Sequence, residues 1–334
     1  MIIKSKIFTV FTDILWVVFR SLPFGVKKAM LEAYYTNKSK KYRLGDDDQF
    51  PLPEGVFFEL RTKCSGRCSF CAASIQNETR PDSVMEFGLF NKVITELADL
   101  DYSGRVAFHV NNEPLIVPDL EKYISLAREK LPRAWIQILT NGRSLSIKRA
   151  ESLMEAKVNE ITVNHYDDDD YLKQILPPRF ASIRDEVISK YYPKKFIRSG
   201  HGPGKFNVGT VFRYNVMNRR ETEVLTNRAA SAPNKEGLVG ENMLGFCQYP
   251  FIQFNITTDG RVGLCCADLY FKSIMGNVKN QTVSEIWFGK YFQAERKALL
   301  SNDRTGNPLC HTCDFVGVNS RYFPRMFHNN QLLN

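Results

Sequence analysis

Cys64-Ser65-Gly66-Arg67-Cys68-Ser69-Phe70-Cys71 places three thiols at i, i+4 and i+7. It directly follows an apolar run, Val56-Phe57-Phe58-Glu59-Leu60, that reads as a β-strand, so the cysteines fall on the loop leaving it. Thiolates are soft donors that hold iron–sulfur clusters, and a cluster ordinarily takes four of them. The next cysteine in the chain is Cys247, too distant to belong to this loop. Three thiols alone therefore imply a cluster with one iron open to a ligand that is not protein. A zinc loop and buried free thiols are the competing readings. Structural zinc prefers a closed set of four ligands, and free thiols would have no reason to cluster.

Outward from the loop the pattern alternates strand and helix. Ser83 to Leu100 predicts a crossover helix with Phe87, Phe90, Val93, Ile94 and Leu97 on one broad face. Strands follow at Arg105 to Val110, Ala134 to Leu139 and Glu160 to Val163, with helices at Asp119 to Lys130 and Ile147 to Ala156 between them. A fifth strand is expected at Phe206 to Phe212 and a sixth at Glu223 to Thr226. Alternating units of this kind build a parallel sheet or barrel, with active residues at the carboxyl ends of the strands. Pattern alone does not separate a barrel from a doubly wound sheet.

Several strand ends carry polar turns. Asn111-Asn112-Glu113-Pro114-Leu115 follows the second strand, Leu139-Thr140-Asn141-Gly142 ends the third, and Asn164-His165-Tyr166 ends the fourth. Asparagine tolerates positive φ better than most residues, which suits Asn112 to such a turn. Each is equally readable as an ordinary turn or a hydrogen-bonded strand end. The run Asp167 to Asp170 suits a helix start, and Ser199 to Gly204 lacks the spacing of a phosphate loop and reads as a connector or lid.

A second cysteine group, Cys247, Cys265, Cys266, Cys310 and Cys313, occupies the carboxyl-terminal part. Eight cysteines in 334 residues are too sparse for a disulfide scaffold and fall into two groups, which suggests two metal sites. The composition, 43% hydrophobic and 24% charged, is that of an ordinary soluble globular protein. Of the net charge of +9, most sits in residues 1–45, with nine basic against two acidic side chains. Ile7 to Phe19 reads as an amphipathic helix, too short to span a bilayer, that either docks on the body of the protein or lies on a membrane surface. The catalytic body shows no nucleic-acid surface.

The Cys-x3-Cys-x2-Cys spacing with an aromatic before the third cysteine resembles the radical S-adenosylmethionine (radical SAM) superfamily. The resemblance implies an α/β fold, a partial (β/α)6 TIM-like barrel over residues 51–229. Cys64, Cys68 and Cys71 would hold a [4Fe-4S] cluster, and S-adenosyl-L-methionine would chelate its open iron. By the same resemblance Phe70, Asn112, Glu113, Asn141, Asn164 and Arg228 are cofactor-binding candidates. Glu113 stands where the family has a Gly-Gly-Glu-Pro-like turn, and Asn227-Arg228-Ala229 is similar to a turn of some members with auxiliary clusters. Cys247, with 12 residues before Gly260 and then Cys265, and the later Cys310-His311-Thr312-Cys313, resembles the auxiliary-cluster extension called SPASM or, when shortened, twitch. That places a second [4Fe-4S] cluster on Cys247, Cys265, Cys310 and Cys313, leaving Cys266 spare, within a small cysteine-rich domain over residues 246–317. The intervals of 18, 45 and 3 residues are similar to those of twitch-containing dehydrogenases. A basic extension over 1–50, a linker over 230–245 and a tail over 318–334 complete the expected organisation.

A closed auxiliary cluster has no iron free for substrate, so its expected task is electron transfer in a net oxidation. The expected function is a radical SAM oxidoreductase acting on a sugar or aminocyclitol, with a SPASM-type peptide-modifying maturase as the alternative. Tyr166, His165, Arg213 and His109 are the candidates for handling the substrate's proton. The expected partners are a small-molecule or peptide substrate and a reducing electron donor such as flavodoxin or ferredoxin. Nucleic acid is not expected. The expected location is cytoplasmic, with a peripheral membrane contact through residues 1–45 left open.

Overall fold

The computed structural model describes residues 51–68, 70–75, 77–165, 178–191, 211–216, 227–233 and 245–315, with scattered positions between 21 and 37. Strands β1 (Gly55–Phe58), β2 (Arg105–Ala107), β3 (Trp135–Thr140), β4 (Glu160–His165) and β5 (Val211–Val216) lie parallel in that order. Helices α1 (Phe87–Asp99), α2 (Leu120–Lys130) and α3 (Ile147–Glu155) make the first three crossovers. Phe90, Val93, Ile94 and Leu97 of α1 are buried at i, i+3, i+4 and i+7, the spacing that puts one stripe of a helix against a sheet. They meet Val56, Phe58, Val106, Phe108, Ile136, Ile138, Ile161 and Val163, alternate residues of β1 to β4, in one apolar core. Each such fully buried side chain contributes about 1.5–3 kcal/mol.

Among the described elements, β2 ends at Ala107 rather than Val110, and the first helix starts later than expected. Helix α1 begins at Phe87, because residues 83–85 pair with the segment leaving β1. The N–H of Thr62 donates to the Ser83 carbonyl (3.0 Å) and that of Met85 to the Leu60 carbonyl (2.9 Å). These bonds close the cysteine loop into an Ω-like excursion whose ends lie side by side. The described part of the fifth strand, Val211–Val216, is in register with all six residues of β4, and the rest of the expected range, 206–210, lies outside the described residues. The expected sixth strand, the connector at 199–204 and the helix start at 167–170 lie outside the described residues, as does most of the amino-terminal stretch. Among the described residues no helix is long and apolar enough to cross a membrane.

The other edge of the sheet is completed from the carboxyl-terminal part. β6 (Gln253–Ile256) pairs parallel with β1, and β7 (Arg261–Gly263) and β8 (Ile274–Asn277) extend it as an antiparallel meander, giving eight strands in the order β5-β4-β3-β2-β1-β6-β7-β8. Gly260 closes the β6–β7 turn at φ +85°, a conformation glycine adopts without penalty. Helices α4 (Val283–Trp287), α5 (Lys290–Leu300) and α6 (Pro308–Thr312) follow. Lys92 of α1 donates to the carbonyls of Val278 and Gln281 (2.8 and 3.0 Å), and Glu96 accepts from the N–H of Val283 (3.0 Å). Arg296 stacks over Trp287 at 3.9 Å while donating to the Pro250 and Trp287 carbonyls. Hydrogen bonds from Nε and Nη1 together with two aromatic faces help make this buried guanidinium tolerable.

Candidate functional site

The carboxyl ends of β1, β2 and β3 converge on the first cysteine group. Glu113, 2% exposed, is the hub. Its Oε1 accepts from Thr140 Oγ1 (2.5 Å) and the Leu115 N–H (3.0 Å), and its Oε2 accepts from the Asn141 N–H (2.8 Å). Its own N–H donates to the Lys63 carbonyl, one residue before Cys64. Asn141 Nδ2 then reaches Ser65 Oγ (3.1 Å) and Cys64 Sγ (3.7 Å). Three turns that are distant in sequence are thus tied around one carboxylate. Burial pushes the Glu113 carboxyl up, opposed by the Asn141 N–H, the Thr140 hydroxyl and the Leu115 N–H.

Gly66 sits between the sulfurs: a Cβ there would lie 3.4 Å from Cys64 Sγ, 3.5 Å from Asn141 Nδ2 and 3.7 Å from Cys68 Sγ. Burial pushes the Cys64 thiol up to about 12, with Glu113, Cys71 and Cys68 adding to the rise and the Gly66 N–H opposing it. Thiolates crowded beside a carboxylate ionise only when a metal takes the place of the protons. The loop is braced from below by Arg80, which donates to both oxygens of buried Glu59 (3.0 and 2.9 Å) and to Glu78 (2.7 Å). Phe70 is half-buried on the loop. Asn112 folds back, its Oδ1 accepting from the Val110 N–H and its Nδ2 donating to the Phe108 carbonyl. It is not at positive φ, so its side chain, and not a glycine-like backbone, makes this turn.

Because Val106, Ile136, Ile138, Ile161 and Phe254 face the helices, the intervening residues face the other side of the sheet. That inner face carries Arg105, His109, Gln137, Glu160, Thr162 and Asn164. Glu160 accepts from Trp135 Nε1 (2.9 Å) and Thr162 Oγ1 (3.0 Å). His109 stands edge-on to Phe57 at 5.6 Å. Burial, helped by the charge of Arg105 and opposed by Glu160, brings its imidazole down to about 3. Asn164 is half-buried and in register with Asn215. Arg213 is in register with Thr162, and His165 ends β4 opposite Val216. Tyr166 lies outside the described residues.

The second cysteine group gathers at the β6–β7 edge. The buried Cys265 thiol is raised by burial first and then by Cys266, Cys247, Cys313 and Cys310, so all five thiols share one neighbourhood. Cys313 Sγ accepts from the Phe315 N–H (3.4 Å), and Asn307 caps α6 through the Leu309 N–H (3.0 Å). The N–H of Cys266 donates to Gln253 Oε1 (3.3 Å). Asn227, 1% exposed, exchanges bonds with Asp314 in both directions (2.7 and 3.1 Å) and donates to the Thr312 carbonyl (2.7 Å). It anchors a run, Arg228-Ala229-Ala230, in which three non-glycine residues adopt positive φ. Left-handed backbone costs roughly 1–2 kcal/mol per residue, so the brace must hold it. The run carries Arg228 to the Cys266 carbonyl (3.5 Å). Asn111 Nδ2 donates to the Leu269 carbonyl (3.0 Å), joining the β2 end to this edge.

Among the described residues no three His, Cys, Asp or Glu side chains close on a single ion. The fit to iron–sulfur clusters rests on the donor chemistry, two sets of soft sulfur ligands at two ends of one sheet. Thr140, Asn111, Asn227, Asp314 and Arg304 take part in these arrangements without standing out as site residues in the sequence. Thr140, Asn111 and Asn227 lie inside recognisable turns, whereas Arg304, alone in a polar loop, offers no pattern to find it by.

The architecture defines a radical SAM protein with a cysteine-rich appendage. The radical SAM superfamily pattern matches residues 59–199 and that of SPASM, an iron–sulfur cluster-binding domain, matches residues 247–314. The chain thus carries a radical SAM domain over residues 59–199 and a SPASM-type domain over residues 247–314. It is 27% identical over 260 residues to the S-adenosyl-L-methionine-dependent 2-deoxy-scyllo-inosamine dehydrogenase of Niallia circulans, spanning 78% of this chain and 92% of that protein. It is 26% identical over 124 residues to the PqqA peptide cyclase of Streptomyces rochei, 37% of this chain and 32% of that one. The crystal structure of BtrN in complex with AdoMet and 2-DOIA shares the fold, with a TM-score of 0.63 at 24% identity over 81% of this chain and 96% of that one.

Proposed function

We propose that this chain is a radical SAM dehydrogenase that oxidises an alcohol-bearing carbon of an aminocyclitol or sugar-type substrate. The observation that carries the reading is the Glu113 hub, which lashes the ends of three parallel strands to the three-cysteine loop. Cys64, Cys68 and Cys71 hold the first cluster, and Cys247, Cys265, Cys310 and Cys313 the second. When bound, the first cluster with S-adenosylmethionine would supply hydrogen-atom abstraction chemistry, and the second cluster would supply a sink for the remaining electron.

The residues of the chain do the rest. A carboxylate offers about four acceptor positions, and the described residues fill three on Glu113, leaving one for the cofactor's ammonium. Asn141 orients the loop sulfur and the cofactor together, while Phe70, Asn112 and Asn164 complete the cofactor pocket; Arg228, expected there too, lies instead beside the second cysteine group. The polar inner face matches the hydroxyls and amines of a cyclitol, and strand-borne side chains hold a reacting carbon more closely than loops do. His165 at the end of β4, Arg213 within β5 and Tyr166, the residue after His165 in the sequence, are the candidates to accept or stabilise the hydroxyl proton. A one-electron donor such as flavodoxin or ferredoxin would reduce the first cluster. The long match to the inosamine dehydrogenase supports this substrate class, and the match to the peptide cyclase covers too little of either chain to favour the alternative.

The test is anaerobic reconstitution followed by turnover of an aminocyclitol deuterated at its carbinol carbon. Deuterium in 5′-deoxyadenosine together with a ketone product is expected. Cleavage of S-adenosylmethionine with no label transferred from any carbinol carbon refutes the substrate class.

A further inference from the structure

Arg304 is a guanidinium 5% exposed, set into the second cysteine group rather than onto the surface. Its Nε donates to the Gly245 carbonyl (3.1 Å), its Nη2 to the Phe246 carbonyl (2.9 Å) and its Nη1 to the Phe315 carbonyl (2.9 Å). Gly245 and Phe246 lead directly into Cys247, and Phe315 follows Cys313 by two residues. One buried cation therefore staples together the first and last segments of the thiol set. The loop that delivers it fits tightly: a Cβ on Gly245 would lie 2.0 Å from the Asn302 carbonyl oxygen, and Asn302 itself has φ +58°. Burying a full charge is costly unless an opposite charge is close.

We infer that Arg304 is a built-in countercharge for the auxiliary cluster, raising its reduction potential so that it works as the electron acceptor. This rests on the proposal that these four thiols hold a cluster. A cluster tied by four thiolates is negatively charged and becomes more so on gaining an electron. A fixed cation in a low-dielectric site stabilises the reduced form more than the oxidised one. Arg228 also faces the group, but it is exposed, and solvent screens its charge. Arg304 is thus a positioning and tuning residue that need not touch substrate.

The test uses the full chain with Cys64, Cys68 and Cys71 replaced by alanine, so that only the auxiliary cluster remains. Its midpoint potential is read by redox titration followed by electron paramagnetic resonance. Arg304→Met should weaken the cluster's electron-accepting equilibrium at least tenfold, a fall of about 59 mV or more for one electron, and Arg304→Lys should restore most of it. Equal potentials in all three proteins, or an equal fall in both variants, overturn the inference. If Arg304→Met fails to hold the cluster, Arg304→Lys decides. A cluster at the parent potential supports the charge role, and loss of the cluster there too shows that the three carbonyl bonds alone matter, which overturns it. A parent protein that binds no iron at the four thiols removes the underlying proposal, and the inference with it, before any variant is compared.

Discussion

His109 on the inner face allows a quantitative test of how dry that face is. Its imidazole ordinarily titrates near 6.5 and is brought down to about 3 here, first by burial and then by Arg105. Protonation is harder in the folded chain, so the stability His109 contributes is complete above pH 6.5 and is lost as pH falls toward 3. At one pH unit below the ordinary value the loss is about 1.4 kcal/mol, since one unit is worth about 1.36 kcal/mol. His109 is partly accessible, which makes that figure a ceiling. His109→Phe keeps an aromatic ring against Phe57 and removes the titration. The assay is chemical unfolding of the metal-free chain, followed by fluorescence of its three tryptophans, at pH 7.5 and 5.5. Between those values the parent should lose about 1 kcal/mol more stability than His109→Phe. The same loss in both proteins would mean that the imidazole is solvated in the folded state, and that the inner face is wet at this position.

Three further outcomes follow from the same geometry. Replacing Cys64, Cys68 and Cys71 with alanine should abolish S-adenosylmethionine cleavage and halve the bound iron, with the second group still loaded; full iron content would contradict the assignment of two separate clusters. Glu113→Gln puts an amide donor against the donors that the carboxylate now satisfies, so S-adenosylmethionine affinity should fall at least tenfold, about 1.4 kcal/mol, with iron unchanged; isothermal titration under anaerobic conditions measures it. Asn227→Ala removes the side-chain bonds to the Thr312 carbonyl and the Asp314 N–H, keeps the backbone bond to Asp314 Oδ1, and leaves two buried partners unmet, costing about 2–4 kcal/mol. Iron should be lost from the second group first, and simultaneous loss from both groups would show that Asn227 braces the whole fold.

What was legible in the chain was whatever local spacing encodes. The helical stripe of α1, the alternation of strand and helix, and the two thiol groups each show within a short stretch, because a helix face, a parallel crossover and a ligand loop are short-range constructions. The start of α1 at Phe87 was hidden because residues 83–85 answer to the segment leaving β1. Glu113 was readable as part of a turn after the second strand, but that its carboxylate is held by Thr140 and Asn141 was not. Those partners are 27 and 28 residues away and meet it only once β2 and β3 are in register.

The sequence by itself determined that sulfur ligands sit on the first strand–helix loop of an α/β unit and again near the carboxyl end. Only the tertiary structure decided that both groups belong to one sheet, with β6 pairing β1 and Arg304 set among the second group's segments. Pairing between strands from opposite halves of the chain, and the burial of a charge among them, come from the packing of the whole molecule. No local pattern of residues carries that information.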